Sequence, residues 1–225
     1  MGYKRSTARN EFEVWQARTL KVVAKAEKKY AVASDMSDYA LCAALFLTHA
    51  RFENYIRDIC SSYVRELNSK SICAGLLPGR LRECALLAAF PHDWFKNYYI
   101  FDDERKLLDN LNTTLTPREW TWATNAFIGH LEPKEIIGNA GYPSPANFQR
   151  LFYKLGFSNI YGDLGKHLRT DIPSLLDGIG GLRCEMAHNG MPPLVTASDI
   201  AQKIKKLGLL VKWLDRLIHA KLSKL

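Results

Sequence analysis

The sequence predicts an all-α helical bundle, and three observations lead to it. Apolar residues recur at three- and four-residue steps over long stretches, whereas strand-like alternation is hard to find. Ser/Thr-Pro helix openings stand at "TPREW" and "SPANF", and "NGMPP" supplies a helix stop near the end of the chain. At 225 residues, 47% hydrophobic and 24% charged, the chain can bury a core, as one large domain or as one domain with an insertion.

The first helix is expected from about Glu11 to Tyr30, with Phe12, Trp15, Thr19, Val22, Ala26 and Tyr30 on one side and lysines between them. The next is the clearest. Through "LCAALFLTHARFENYIRDICSSYVREL", Leu41, Leu45, Phe52, Ile56, Ile59, Tyr63 and Leu67 form one apolar stripe, leaving Arg51, Asp58, Arg65 and Glu66 to solvent. From about residue 70 to 115 the pattern becomes irregular, with short helical pieces broken by Gly75, Pro78 and Pro91. Thr116, Pro117 and Glu119 then fit the N-cap, first-turn and capping-box positions of a new helix. In "SPANFQRLFYKLGF", Phe148, Leu151, Phe152 and Leu155 supply a buried face before Gly156. A further helix begins around Asp171 to Pro173, with Leu175, Leu176, Ile179, Leu182 and Met186 on its apolar side. Asn189-Gly190 ends it, and Pro192-Pro193 forbids continuation. The last helix, from Ser198, turns Ile200, Ile204, Leu207, Val211, Leu214 and Ile218 inward. Lys203, Lys205, Lys206, Lys212 and Arg216 lie mostly on the other side.

Composition narrows the function classes. A net charge of +8, from 31 Lys+Arg against 23 Asp+Glu, makes nucleic acid the first partner to consider, beside the plainer reading of a basic solvated surface. The longest apolar run, Tyr39 to Ala50, is too short to cross a membrane, and the first residues lack the apolar core of a secretory signal. Five cysteines (Cys42, Cys60, Cys73, Cys84, Cys184) with no CxxC spacing argue against a disulfide framework and a zinc site. No metal or cofactor is therefore expected, and a reducing cytoplasm is the expected location.

One stretch carries chemistry: "GGLRCEMAHNGMPP", in which Arg183 and His188 stand five residues apart. The spacing alone says little, because fourteen arginines and six histidines produce roughly one such pair by chance. Its setting says more. His188 falls in the last turn of the expected helix, where free carbonyls and the dipole favour an imidazolium, and histidine is the side chain suited to proton transfer near neutrality. Five residues turn about 140° around a helix, so the two side chains do not share a strict face. Gly178, Gly180 and Gly181 each cost the helix about 1 kcal/mol. Either close approach of another helix or subunit offsets that cost, or the helix is broken there.

"LRCEMAHNG" resembles the signature of HEPN domains, in which Arg-x(4–6)-His closes a bundle helix. "PSPANFQRLFYKLGFSNIYGDLGKHLRTDIPSLLDGIGG" and "FLTHARFENYIRDI" are similar to the corresponding regions of the RiboL-PSP-like HEPN subfamily. The likeness covers most of residues 40 to 70 and 140 to 191. It implies a single HEPN-like domain over residues 1–225, with the 70–115 stretch inserted between the early helix pair and the motif helix. It also implies a metal-independent endoribonuclease, a toxin or defence effector that cleaves RNA in a site shared by a homodimer and is controlled by a regulatory or antitoxin protein. Arg183 and His188 would be its catalytic residues, and a 2′,3′-cyclic phosphate the product. The chain departs from the pattern at Cys184, where active members usually carry Asn or another polar residue. An inactive HEPN-like dimer that binds RNA or a protein partner, and a helical scaffold in which Arg183 and His188 are structural, are the alternatives.

Supporting residues are less specific. Glu53 precedes Arg57 by four, the spacing of an ordinary surface ion pair; the other reading has Glu53 orient Arg183 across the bundle. Asn189 either contacts substrate or caps its helix. His49, His92, His130, His167 and His219 read as structural or surface residues. Tyr98, Tyr99, Trp120 and Trp122 suit either base stacking or core packing.

Overall fold

The computed structural model describes residues 2–29, 34–70, 72–88, 104, 108–110, 113, 125–126, 128–138 and 143–225, and among these the regular elements are helices. Helix α1 spans Thr7–Lys29. It begins ahead of the expected Glu11 because Ser6 caps it, its Oγ accepting from the Arg9 backbone N–H at 3.1 Å. Val23, not Val22, is the buried valine of this helix, while Phe12, Thr19 and Ala26 are buried as expected. Helix α2 runs without a break over Ser34–Ser69, about 54 Å at the usual rise. Its sequence contains no glycine or proline to interrupt it. Every member of its expected stripe, from Leu41 to Leu67, is buried.

A short 3₁₀ turn at Ala74–Leu76 and helix α3 (Gly79–Leu87) follow. Two backbone bonds tie this region to residues 126 and 128, Ala74 N–H to Ala126 O at 2.8 Å and Ile128 N–H to Ile72 O at 3.2 Å. Most of the expected 70–115 insertion beyond α3 lies outside the described residues. So do His92, Tyr98, Tyr99 and the Thr116–Trp122 helix start. Helix α4 is the brief Pro133–Ile137. Helix α5, Pro145–Lys154, opens as the Ser-Pro pair predicts, with Ser144 Oγ accepting from Asn147 N–H at 3.3 Å. The chain then turns at Gly156. Its φ of 86° suits glycine, and a Cβ there would lie 2.3 Å from the Pro78 Cβ.

Helix α6 (Ile160–Leu168) is capped by Asn159, and helix α7 (Ile172–Asn189) by Asp171. Helix α7 passes through Gly178, Gly180 and Gly181 unbroken, which removes the broken-helix alternative. Gly190, at φ 77°, ends it. Helix α8, Ala197–Leu222, starts on a full capping box between Thr196 and Asp199 and buries all six residues of its expected stripe.

The core forms where α1, α2 and α8 pack together. Phe12 lies 6.5 Å from Phe52 and 6.0 Å from Tyr55, measured between ring centroids. The buried Tyr55 hydroxyl donates to the Val211 carbonyl of α8 at 3.1 Å, satisfying a polar group that would otherwise be costly to bury. The N-terminal residues are fastened to the same helix. The Tyr3 hydroxyl donates to Asp215 Oδ2 at 2.5 Å, and Arg9 Nη1 lies 3.9 Å from that carboxylate. Arg9 also pairs with Glu13 at 2.6 Å. Helix α7 packs against α2, α5, α6 and α8, so the Arg–His helix rests on the long central helix. Among the described residues, no helix is long and apolar enough to cross a membrane.

Candidate functional site

Both motif residues lie on α7, and the helix sends them in different directions. Arg183 is half-buried on the side that packs against α2, with its guanidinium carbon 6.0 Å from the centroid of the Phe46 ring. His188 is exposed in the last turn, beside exposed Asn189 and ahead of the Gly190 stop. The five-residue step between them accounts for the divergence, because it rotates a side chain about 140°.

The environment of Arg183 is built by α2. Phe46, His49 and Glu53 recur at three- and four-residue steps and therefore follow one side of that helix. His49 is only 5% exposed. Burial first, and the positive charge of Arg183 second, pull its imidazole down to about 4 from the ordinary 6.5. At neutral pH His49 is thus an uncharged ring beside a guanidinium. Sequence reasoning assigned His49 no part in the site. The signal that marks it is its place on the same side of α2 as Phe46 and Glu53, next to a stripe that is buried throughout.

The remaining expected residues sit nearby in different roles. Glu53, half-buried, pairs with exposed Arg57 at 3.5 Å, the i,i+4 arrangement its spacing predicts. Cys184 is a free, exposed thiol on the outer side of α7, together with Ser174, Gly178, Gly181 and His188. A Cβ added at Gly181 would meet no atom within 4 Å, so no described residue presses on α7 at that position. Beside the Phe46 ring, a groove of about 530 Å³ opens between the start of α2 and the end of α7. Tyr39, Cys42, Phe46, Met186 and Met191 line it, with Asp35 and Asp38 at its rim. Its volume is in the range of small-ligand pockets and its lining is largely apolar.

Chemically, the arrangement offers a guanidinium beside an aromatic ring, a solvent-accessible imidazole at a helix C-terminus, and an apolar groove that shares the Phe46 ring. Among the described residues, no group of three or more His, Cys, Asp or Glu is disposed to hold a metal ion. No protein-family model matches the chain, and no curated protein or solved structure matches it either.

Proposed function

We propose that this chain is a HEPN-type, metal-independent endoribonuclease that cleaves RNA in a site shared by two copies, with Arg183 and His188 as its catalytic residues. The observation that carries the reading is the presentation of the motif. His188 stands exposed at the end of α7, and Arg183 is held on Phe46 and beside neutral His49. The divergence of the two side chains supports a shared site, because a second copy supplies the group that one chain turns away. The small exposed residues Gly181 and Cys184 leave room for that copy on the His188 side of α7.

The step this assembly performs is a transesterification. The RNA 2′-oxygen attacks the neighbouring phosphorus and its proton passes to a neutral imidazole. The bond from phosphorus to the 5′-oxygen breaks, and that oxygen takes a proton from an imidazolium. His188 from the two copies fills both roles, a contribution typically of about 10²–10⁴-fold. Arg183 binds the phosphate through paired N–H donors and stabilises the charge that grows in the transition state. The products are a 2′,3′-cyclic phosphate and a 5′-hydroxyl. The expected setting is the cytoplasm, with the enzyme acting as a toxin or defence effector under a regulatory protein.

The test is cleavage of single-stranded RNA by the purified protein in EDTA, with end-group analysis of the products. Activity should persist in chelator and disappear in both Arg183→Ala and His188→Ala; retention in either variant refutes the assignment. Cys184, following Arg183, favours a second reading, a HEPN-like dimer that binds RNA without cutting it. That reading is the outcome if RNA binds in a salt-dependent manner and no product forms.

A further inference from the structure

We propose that the exposed face of α8, together with His167 at the end of α6, is a docking surface for single-stranded RNA, separate from the Arg183 and His188 region. The proposal rests on the ribonuclease reading only in taking RNA rather than DNA as the strand.

The face is defined by helical geometry. At 100° per residue, Lys205, Lys206, Lys212, Trp213 and Arg216 all fall on the side of α8 opposite its buried stripe. Lys205, Lys206 and Arg216 are exposed, and Lys212 and Trp213 are half-exposed. Helix α8 has two carboxylates, and both are withdrawn from this face. Asp199 is engaged by Thr196 in the capping box, and Asp215 is buried against Tyr3. None of the four cations is in an ion pair with a described residue. Four positive charges therefore stand along about 16 Å of helix without an ion pair to a described residue; Lys206 alone among them shares a cavity with carboxylates, Asp171 and Asp199.

Planar rings are interleaved with these charges. The His167 ring stacks on Trp213 with centroids 4.2 Å apart and planes 7° from parallel. The Arg216 guanidinium lies over both Trp213 and Tyr3, at 5.1 and 5.2 Å from their centroids, and Lys212 Nζ lies 6.0 Å from Trp213. One face of His167 is taken by Trp213, so the exposure of this residue lies on its other face and edges. An unpaired base placed there extends an existing two-ring stack, and its flanking phosphates meet Lys212 and Arg216. Stacking rings with cations around them is how proteins hold single strands irrespective of sequence. An anionic membrane would meet the same charge, but binding there needs apolar side chains to insert. Leu209 is the one large exposed hydrophobic residue of α8.

The surface also stands apart from the motif. Lys203 Nζ reaches the Gly178 carbonyl at 3.5 Å, which fixes the register of α8 on α7. Trp213 lies about 15 Å farther along α8 from that point, toward the His167 end of α6. A strand bound here is held by a segment other than the one being cut.

Fluorescence anisotropy with a short single-stranded 2′-O-methyl RNA, which lacks the attacking hydroxyl, tests the surface on the full chain. His167→Ala should weaken binding roughly five- to a hundredfold, the range of one stacked base, and should leave the affinity for the fully duplexed form unchanged. Lys212→Gln/Arg216→Gln should reduce the slope of log K against log salt by about 1.4, the share of two phosphate contacts. Wild-type affinity and slope in both variants overturn the proposal. So does binding to phosphatidylserine vesicles, lost in the double variant, without binding to RNA. Failure of the ribonuclease reading looks different: these variants bind RNA as expected, yet the wild-type protein forms no product.

Discussion

His49 gives the sharpest quantitative test of how the Arg183 region is built. The ring is 5% exposed and its pKa is pulled from 6.5 to about 4, by burial and then by Arg183. In the unfolded chain it takes up a proton as pH falls through 6.5; in the folded protein it resists until about 4. Between these values the unfolded state binds more protons, so stability falls with acidification across that window and is fully present above it. The linkage costs about 2 kcal/mol at pH 5 and about 3 kcal/mol once both states are protonated. Urea denaturation of wild type and His49→Gln at pH 7 and pH 5 isolates the term, because contributions from other groups cancel in the difference. The wild type should lose about 2 kcal/mol more than the variant between the two pH values. Equal losses would refute both the burial of a neutral imidazole and its proximity to Arg183. Removing the guanidinium by Arg183→Ala should shrink the pH effect only in part, since burial is the larger cause.

Other expectations are simpler. Asp215→Ala removes the buried carboxylate that serves Tyr3 and Arg9 and should cost about 3 kcal/mol by the same denaturation measurement. Gly156→Ala forces a non-glycine into φ 86° with its Cβ against Pro78, and a loss of about 2–3 kcal/mol is expected. Gly181→Ala should instead stabilise the isolated fold by about 0.5–1 kcal/mol, because the new methyl meets open space. If a second copy approaches α7 at that face, the same substitution shifts sedimentation toward monomer. Cys184→Ser, on an exposed free thiol, should change stability by less than about 0.5 kcal/mol.

What was legible in the sequence follows from which interactions are local. Helix α8 and the buried side of α2 could be read almost residue by residue because an uninterrupted three-and-four pattern marks them, although α2 starts at Ser34, seven residues ahead of the stripe that begins at Leu41. Helix α1 was read less well. Its start depends on Ser6 acting as a cap, and it packs against both α2 and α8, so its buried side is not a single narrow stripe and Val23 replaces Val22. The glycines of α7 were ambiguous because propensity weighs against a helix that packing on α2, α5, α6 and α8 retains. At the candidate site, the exposure of His188 at a helix end could be foreseen. The placement of Arg183 beside Phe46 and His49 could not, since it joins residues far apart in the chain. Separation in sequence also hides the stack of His167 on Trp213.

The fastening of Tyr3 and Arg9 to Asp215 has a consequence for how the chain assembles. The hydrogen bond from Tyr3 to Asp215 closes a loop of 212 residues, and closing a long loop costs entropy that short-range contacts within α2 or α8 do not incur. This clasp therefore belongs to the late stages of folding, after the helices it joins have formed and packed. Weakening it should accelerate unfolding while leaving the folding rate nearly unchanged. Tyr3 also meets His219 with ring centroids 5.3 Å apart, which brings the two termini of the described chain within reach of a short peptide bridge. A circular permutant joined there, with new ends opened elsewhere on the surface, would turn this contact between distant residues into a neighbouring one and let the clasp form early.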